Sequence, residues 1–157
     1  MMTNVYLILG QSMADITELM LKRAVNIKVI VTPRWKDETL QILQSQINQI
    51  DTRTQQIDVQ VQRAMTELKK QPASPQITEQ ISSIQFQANE EKSKLLDQKN
   101  QILTQLTQVQ TLEMEQEVNQ GQLDGYFTVK VGENLIEKMQ VEVVIRDGVV
   151  QEFRGII

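Results

Sequence analysis

From Leu40 to Leu68 the apolar side chains stand three and four apart without a break. They are Leu40, Leu43, Ile47, Ile50, Ile57, Val61, Ala64 and Leu68, with Thr54 in the one polar slot. A three-four rhythm held for about four heptads draws one stripe along a helix and calls for one partner helix against it, which is the pattern of a coiled coil. Its start is well marked. Thr32 is placed to cap, Pro33 suits the first helical position, and Asp37 and Glu38 lie near the positive end of the helix dipole. Trp35, the only tryptophan, falls in the first turn. It reads as an apolar plug where the helix meets the preceding strand rather than as an exposed docking anchor.

The partner helix follows directly. "QPASPQ" puts Pro72 and Pro75 three apart, so the first helix is expected over residues 33–71, with the tip at 72–75. Ser74-Pro75 then repeats the cap-plus-proline start. A second helix over 75–122 carries Ile77, Ile81, Ile84, Ala88, Leu95, Ile102, Leu106, Val109 and Leu112, with a spacing that loosens around Glu91 and Gln98. A connection this short folds the two back as an antiparallel hairpin. At ~1.5 Å per residue the first helix spans roughly 55 Å, so a rod is expected. Gln is the commonest residue of the tract. A disordered Gln-rich tract has no apolar period, however, and no glycine interrupts residues 33–120.

Beyond the rod the period changes to two. Phe127, Val129 and Val131 alternate with polar neighbours, as do Val141, Val143 and Ile145, and "DG" at 147–148 is a tight-turn signal into 149–154. Asn26–Val31 supplies a fourth strand, with Ile27, Val29 and Val31 on one face. A lone strand needs partners. The fold class is therefore α+β: a long antiparallel two-helix hairpin with a small, mainly antiparallel β head built from residues 25–32 and 125–155. Closure of the hairpin is expected to bring Val31 close to Phe127. Residues 1–24 are expected to be an extension, disordered or a short helix, with Met13 as an alternative start.

"VIVTPRWK", the coiled-coil middle and the tail "YFTVKVGENLIEKMQVEVVIRDGVVQEFRG" together resemble the YlqD family of bacterial proteins. The tail carries most of the likeness: an alternating strand, a V-G-[DE] turn, an EKM element, a strand, DG, and a strand ending in Arg. The likeness covers about Val25 to Gly155. It implies an intracellular bacterial protein of no established biochemical activity, encoded in some relatives near ribosome-maturation genes. It transfers no functional residues.

The residues themselves exclude more chemistry than they suggest. With no Cys and no His, the chain has no thiolate nucleophile, no imidazole base and no disulfide. "EMEQE" sets Glu113 and Glu117 one turn apart on the expected helix, a spacing that could hold a hard cation, but no pocket-forming residues accompany the pair. The serines of "SSIQ" and "KSK" sit on a coiled-coil helix, where an oxyanion hole is hard to build. "VGEN" is a lone glycine turn and not a phosphate loop. We therefore expect no catalytic, cofactor-binding or metal-binding residues, no cofactor and no enzyme. The apolar run Val5–Leu9 is too short for a signal peptide or a membrane span, which leaves the cytoplasm as the expected compartment.

Binding is the remaining class. Leu95-Leu96 and Ile102-Leu103 widen the apolar stripe of the second helix beyond one partner. Either the segment around Ile16, Leu19 and Met20, apolar at helical spacing, folds over Leu96 and Leu103, or a second subunit does; self-association is the expectation. A ribosome- or RNA-associated module is the alternative, with Tyr126 or Phe127 stacking on bases. A net charge of −4 and balanced charges in the head weigh against it. The tip "KKQPASPQ" is polar, unlike the apolar tips of prefoldin-like chaperones, which argues against client capture there.

Overall fold

The computed structural model describes residues 16–155. They form two compact units, one of residues up to Thr32 together with those from Glu113 onward, the other Pro33–Leu112. The expectations on Met13 and on the run Val5–Leu9 lie outside the described residues.

The second unit is the hairpin of α1 (Pro33–Lys69) and α2 (Pro75–Thr111). Pro75 stands in the first turn of α2, and the Ser74 hydroxyl accepts from the Ile77 amide at 3.2 Å, as the cap signal predicts. All nine predicted stripe positions of α1 are buried or half-buried, with Leu43, Ile47 and Ile57 the deepest. On α2 the places where the heptad loosens are filled by lysines. Lys92 and Lys99 are half-buried and carry the stripe through Ala88, Lys92, Leu95, Lys99 and Ile102. Two successive steps of four, Ile84 to Ala88 to Lys92, break the strict heptad at one point, a local unwinding of the supercoil. Each lysine reaches across to α1: Lys92 to Asp58 at 2.8 Å and Lys99 to Asp51 at 2.7 Å, beside Arg53–Glu91 at 2.6 Å. Thr54, the polar slot of α1, returns its hydroxyl to the Ile50 carbonyl at 3.0 Å. At the open end Lys36 donates to the carbonyls of Gln110 and Leu112, at 2.8 and 3.0 Å, which answers two of the carbonyls that the end of α2 would otherwise leave unmet.

The other unit is a four-stranded mixed sheet in the order β2-β1-β3-β4. Its strands are β1 (Glu18–Ile30), β2 (Glu117–Lys130), β3 (Val141–Arg146) and β4 (Val149–Arg154), with a one-turn helix α3 (Leu135–Met139) between β2 and β3. The pairs β1/β2 and β3/β4 are antiparallel, while β1/β3 is parallel. Asp147 and Gly148 both take positive φ, 49° and 83°, as the predicted two-residue hairpin turn requires.

Three expectations are corrected here. β1 begins at Glu18 and not near Asn26, so residues 18–24 are sheet and not an extension, and Leu19 and Met20 belong to a ladder and not to a helical face. The start was hidden because Arg23 occupies an apolar position between Leu21 and Val25. α2 ends at Thr111, not residue 122, and residues 117–122 are strand. No glycine or proline marks that exit: Leu112 turns extended, and Glu115 takes the left-handed position with φ 69° that glycine usually fills. Finally, Phe127 pairs with Leu21, ten residues along β1 from Val31. The neighbours of Val31 are Gln116, whose carbonyl accepts its amide at 2.8 Å, and Glu115, whose amide donates back at 2.8 Å.

Candidate interaction surfaces

The hairpin divides the leucine doublets of α2. Leu95 and Ile102 are half-buried in the seam, while Leu96 and Leu103 are 56% and 40% exposed. Phe86, two turns or more toward the tip, is 66% exposed. Leu96 and Leu103, one heptad apart, make one outer row, and Phe86 lies roughly 80–100° off it around the helix. The serines Ser82, Ser83 and Ser93 are all exposed on the same helix.

The carboxylates Glu113 and Glu117 do not share a helical face. Glu113 precedes a turn and Glu117 opens β2. Glu117 accepts from Arg154 Nη1 at 2.7 Å, and the Arg154 guanidinium holds its carboxyl below the usual range. Glu115 accepts from Arg146 Nη1 at 2.8 Å, and that hydrogen-bonded guanidinium lowers the Glu115 carboxyl likewise. Glu142 of β3 continues the chain of charges to Lys28 of β1 at 3.6 Å and to Arg154 at 3.9 Å, while Glu152 meets Arg154 at 2.6 Å. Strand register puts Lys28, Glu142, Glu152 and Arg154 on one face of the sheet. These charges answer one another and tie all four strands. Among the described residues no group of three or more Asp or Glu is placed to hold a metal ion.

A second cluster fixes α3 to the sheet. Arg23 lies over the Phe127 ring, 4.8 Å from its centre, and donates to the Lys138 carbonyl. Lys138 Nζ pairs with Glu133 at 2.7 Å and donates to the Thr128 carbonyl at 2.9 Å, while Glu133 accepts from the Lys130 amide at 2.8 Å. Asn134 caps the helix by accepting from the Glu137 amide at 3.1 Å. The spacing Asn134-x-x-Glu137 is a cap signal legible in the sequence. Phe127 is buried and Tyr126 is exposed, so one of the two candidate stacking rings is used internally.

The opposite sheet face is apolar and open. It presents Val25 and Ile27 from β1, Leu123 from β2, Val143 and Ile145 from β3, and Val150 and Phe153 from β4, around a shallow trough of about 610 Å³. Leu123 and Phe153 are 63% and 60% exposed. Sequence alternation placed Val143 and Ile145 correctly but missed Leu123. A bulge at Gln120 brings Val118 and Leu123, an odd five residues apart, to the same face.

No helix among the described residues is long and apolar enough to cross a membrane. No curated protein matches the chain. Among solved structures the chain is similar to a protein of unknown function from Synechococcus sp. WH 8102, with 40% identity, 88% of this chain and 97% of that one covered, and a TM-score of 0.81. The YlqD protein family model matches residues 19–154, nearly the whole described chain and all of β1 but its first residue, and the chain therefore belongs to the YlqD family.

Proposed function

We propose that this chain is a non-enzymatic interaction protein of the cytoplasm that works by self-association through the outer row of α2. The observation that carries the reading is the division of the two doublets, with Leu95 and Ile102 turned into the seam while Leu96 and Leu103 stay exposed. Burying two leucines per subunit is worth roughly 3–6 kcal/mol before association entropy, enough to decide pairing along a long helix contact. The hairpin needs neither residue for its own seam. Changing both Leu96 and Leu103 to Glu is therefore expected to preserve helicity by circular dichroism and to cut the mass in light scattering to a half or a quarter. An unchanged mass would sink the reading.

The ribosome- or RNA-associated module ranks second. The exposed ring of Tyr126 supports it, while the pairing of Lys28, Lys138, Arg146 and Arg154 with carboxylates weighs against it. Nucleic acid that co-purifies and is released by salt would reverse the ranking.

A further inference from the structure

We infer that the open apolar face of the sheet is a second self-association surface, independent of the α2 row, on which two copies of this chain pack sheet against sheet. A sheet with one apolar face is half of a two-layer structure, and the layer is normally completed by a helix or by another sheet about 10 Å away. Among the described residues of this unit the only helix is α3, which is fixed at the Arg23–Phe127 end by Lys138. Beyond it Leu123, Val150 and Phe153 are exposed and Val25, Ile27, Val143 and Ile145 are half-buried, while Val29, farther along the same face of β1, is buried.

The chemistry of the face selects a like partner. Its lining side chains are uncharged except for Asp124 at the rim, which pairs with Lys22 at 3.0 Å, while Lys28, Glu142, Glu152 and Arg154 are held on the other face in ion pairs. A charged partner would thus find only that one carboxylate, already paired, whereas a two-fold axis through the trough sets apolar surface on apolar surface. Leu123, Val150 and Phe153 protrude at the edge strands β2 and β4, and the trough runs between them. On a second copy the same three side chains are the right size and chemistry to enter it. Their exposures, with those of the half-buried valines and isoleucines, leave roughly 500 Å² of apolar surface open, at the upper end of what a monomer displays. A stable interface typically takes about 800 Å² per partner, so this apolar surface supplies more than half of one.

The chain has no cysteine, so single cysteines can report the contact. Leu123→Cys is expected to give disulfide-linked dimers under mild oxidation at least tenfold faster than Val131→Cys, which is 83% exposed in the same unit but lies past the end of β2, eight residues from the trough. Mass is then measured in the Leu96→Glu/Leu103→Glu background, where the helix row is disabled. A dimer is expected there, and adding Leu123→Glu and Phe153→Glu, both exposed positions that leave the fold intact, is expected to halve its mass. A monomer in the helix-row background, or equal cross-linking at residues 123 and 131, overturns the sheet pairing while leaving the helix-row reading standing. A monomer in which the Leu123→Cys thiol is shielded from a small maleimide would assign the face to residues 1–15 of the same chain. A monomer with a freely reacting thiol would assign it to a different protein. Either result also overturns the inference.

Discussion

Val31, Val144 and Val29 of the head are 0%, 1% and 2% exposed, whereas in the hairpin only Leu43, Ile47 and Ile57 of α1 are buried and no residue of α2 is. The head concentrates its packing in a few side chains on paired strands far apart in sequence. The hairpin spreads its packing thinly along 37-residue helices, where each contact repeats the last. Loss of one buried group should therefore have a global effect in the head and a graded one in the hairpin. The two units also set register differently. In the head it is fixed by bulges and by backbone ladders, while in the hairpin the polar pairs Asp51–Lys99 and Asp58–Lys92, with the heptad break that ends at Lys92, distinguish one register from the next.

The largest effect is expected from Val144→Asp. It puts a further carboxylate at a site without solvent, beside Lys28, which already answers Glu142, a change costing about 4 kcal/mol or more. Hydrogen exchange should then show loss of protection across all four strands together. Protection lost in β3 alone would mean that the head is not one cooperative unit.

Next is Ile57→Asn, at a seam position only 3% exposed, with an expected cost of about 2–4 kcal/mol. Ile50→Asn, at a half-buried seam position, should cost less. Gln56→Asn, one residue from the seam, should stay within roughly 0.5 kcal/mol in urea unfolding. Equal losses at residues 56 and 57 would show that the stripe does not carry the hairpin.

A smaller effect, and of the opposite sign, is expected from replacing Asp51 and Lys99 together by Leu. The pair is partly exposed, so as an ion pair it contributes little. Apolar replacements should raise the midpoint of unfolding by about 1 kcal/mol equivalent but broaden the distribution of distances between spin labels at Thr39 and Gln108. A narrow distribution would assign the register to the short tip and the Ser74 cap.

Local rules explain which parts of the molecule could be read in advance. The seam, the Ser74-Pro75 start and the Asp147-Gly148 turn each depend on neighbours within four residues, and each was legible. The lysines of α2 were not, because a charged side chain in a stripe looks like a gap until its aspartate is placed across from it. The limits of β1 and β2 failed for the same reason at longer range. Arg23 is acceptable in an apolar row only because Phe127 and the Lys138 carbonyl meet it, and Gln120 shifts the alternation only because β1 is its partner. The exposed Leu96 and Leu103 were foreseen from one helix alone. The open sheet face needed the order of four strands, of which the sequence showed the pieces and not the parallel β1/β3 pair.

The smallest expected effect is the head's response to acid. Arg146 lowers the Glu115 carboxyl and Arg154 that of Glu117, in each case mainly through the side-chain hydrogen bond, and Lys138 does the same for Glu133. A depressed folded value means that the unfolded chain binds more protons within the window. The contribution is thus fully present above the ordinary carboxylate value of 4.5 and is lost as the pH falls through the depressed values. All three groups lie at the surface, so solvent and salt screen the effect and it is expected to be modest. Lowering the pH from about 5.5 to about 3 should speed exchange of β2 and β3 amides beyond the intrinsic change, more at low salt than at high. Arg146→Gln should flatten that response while leaving α1 and α2 protection as it was. A response of the same size in the variant would mean that these ion pairs report the head's structure without helping to hold it.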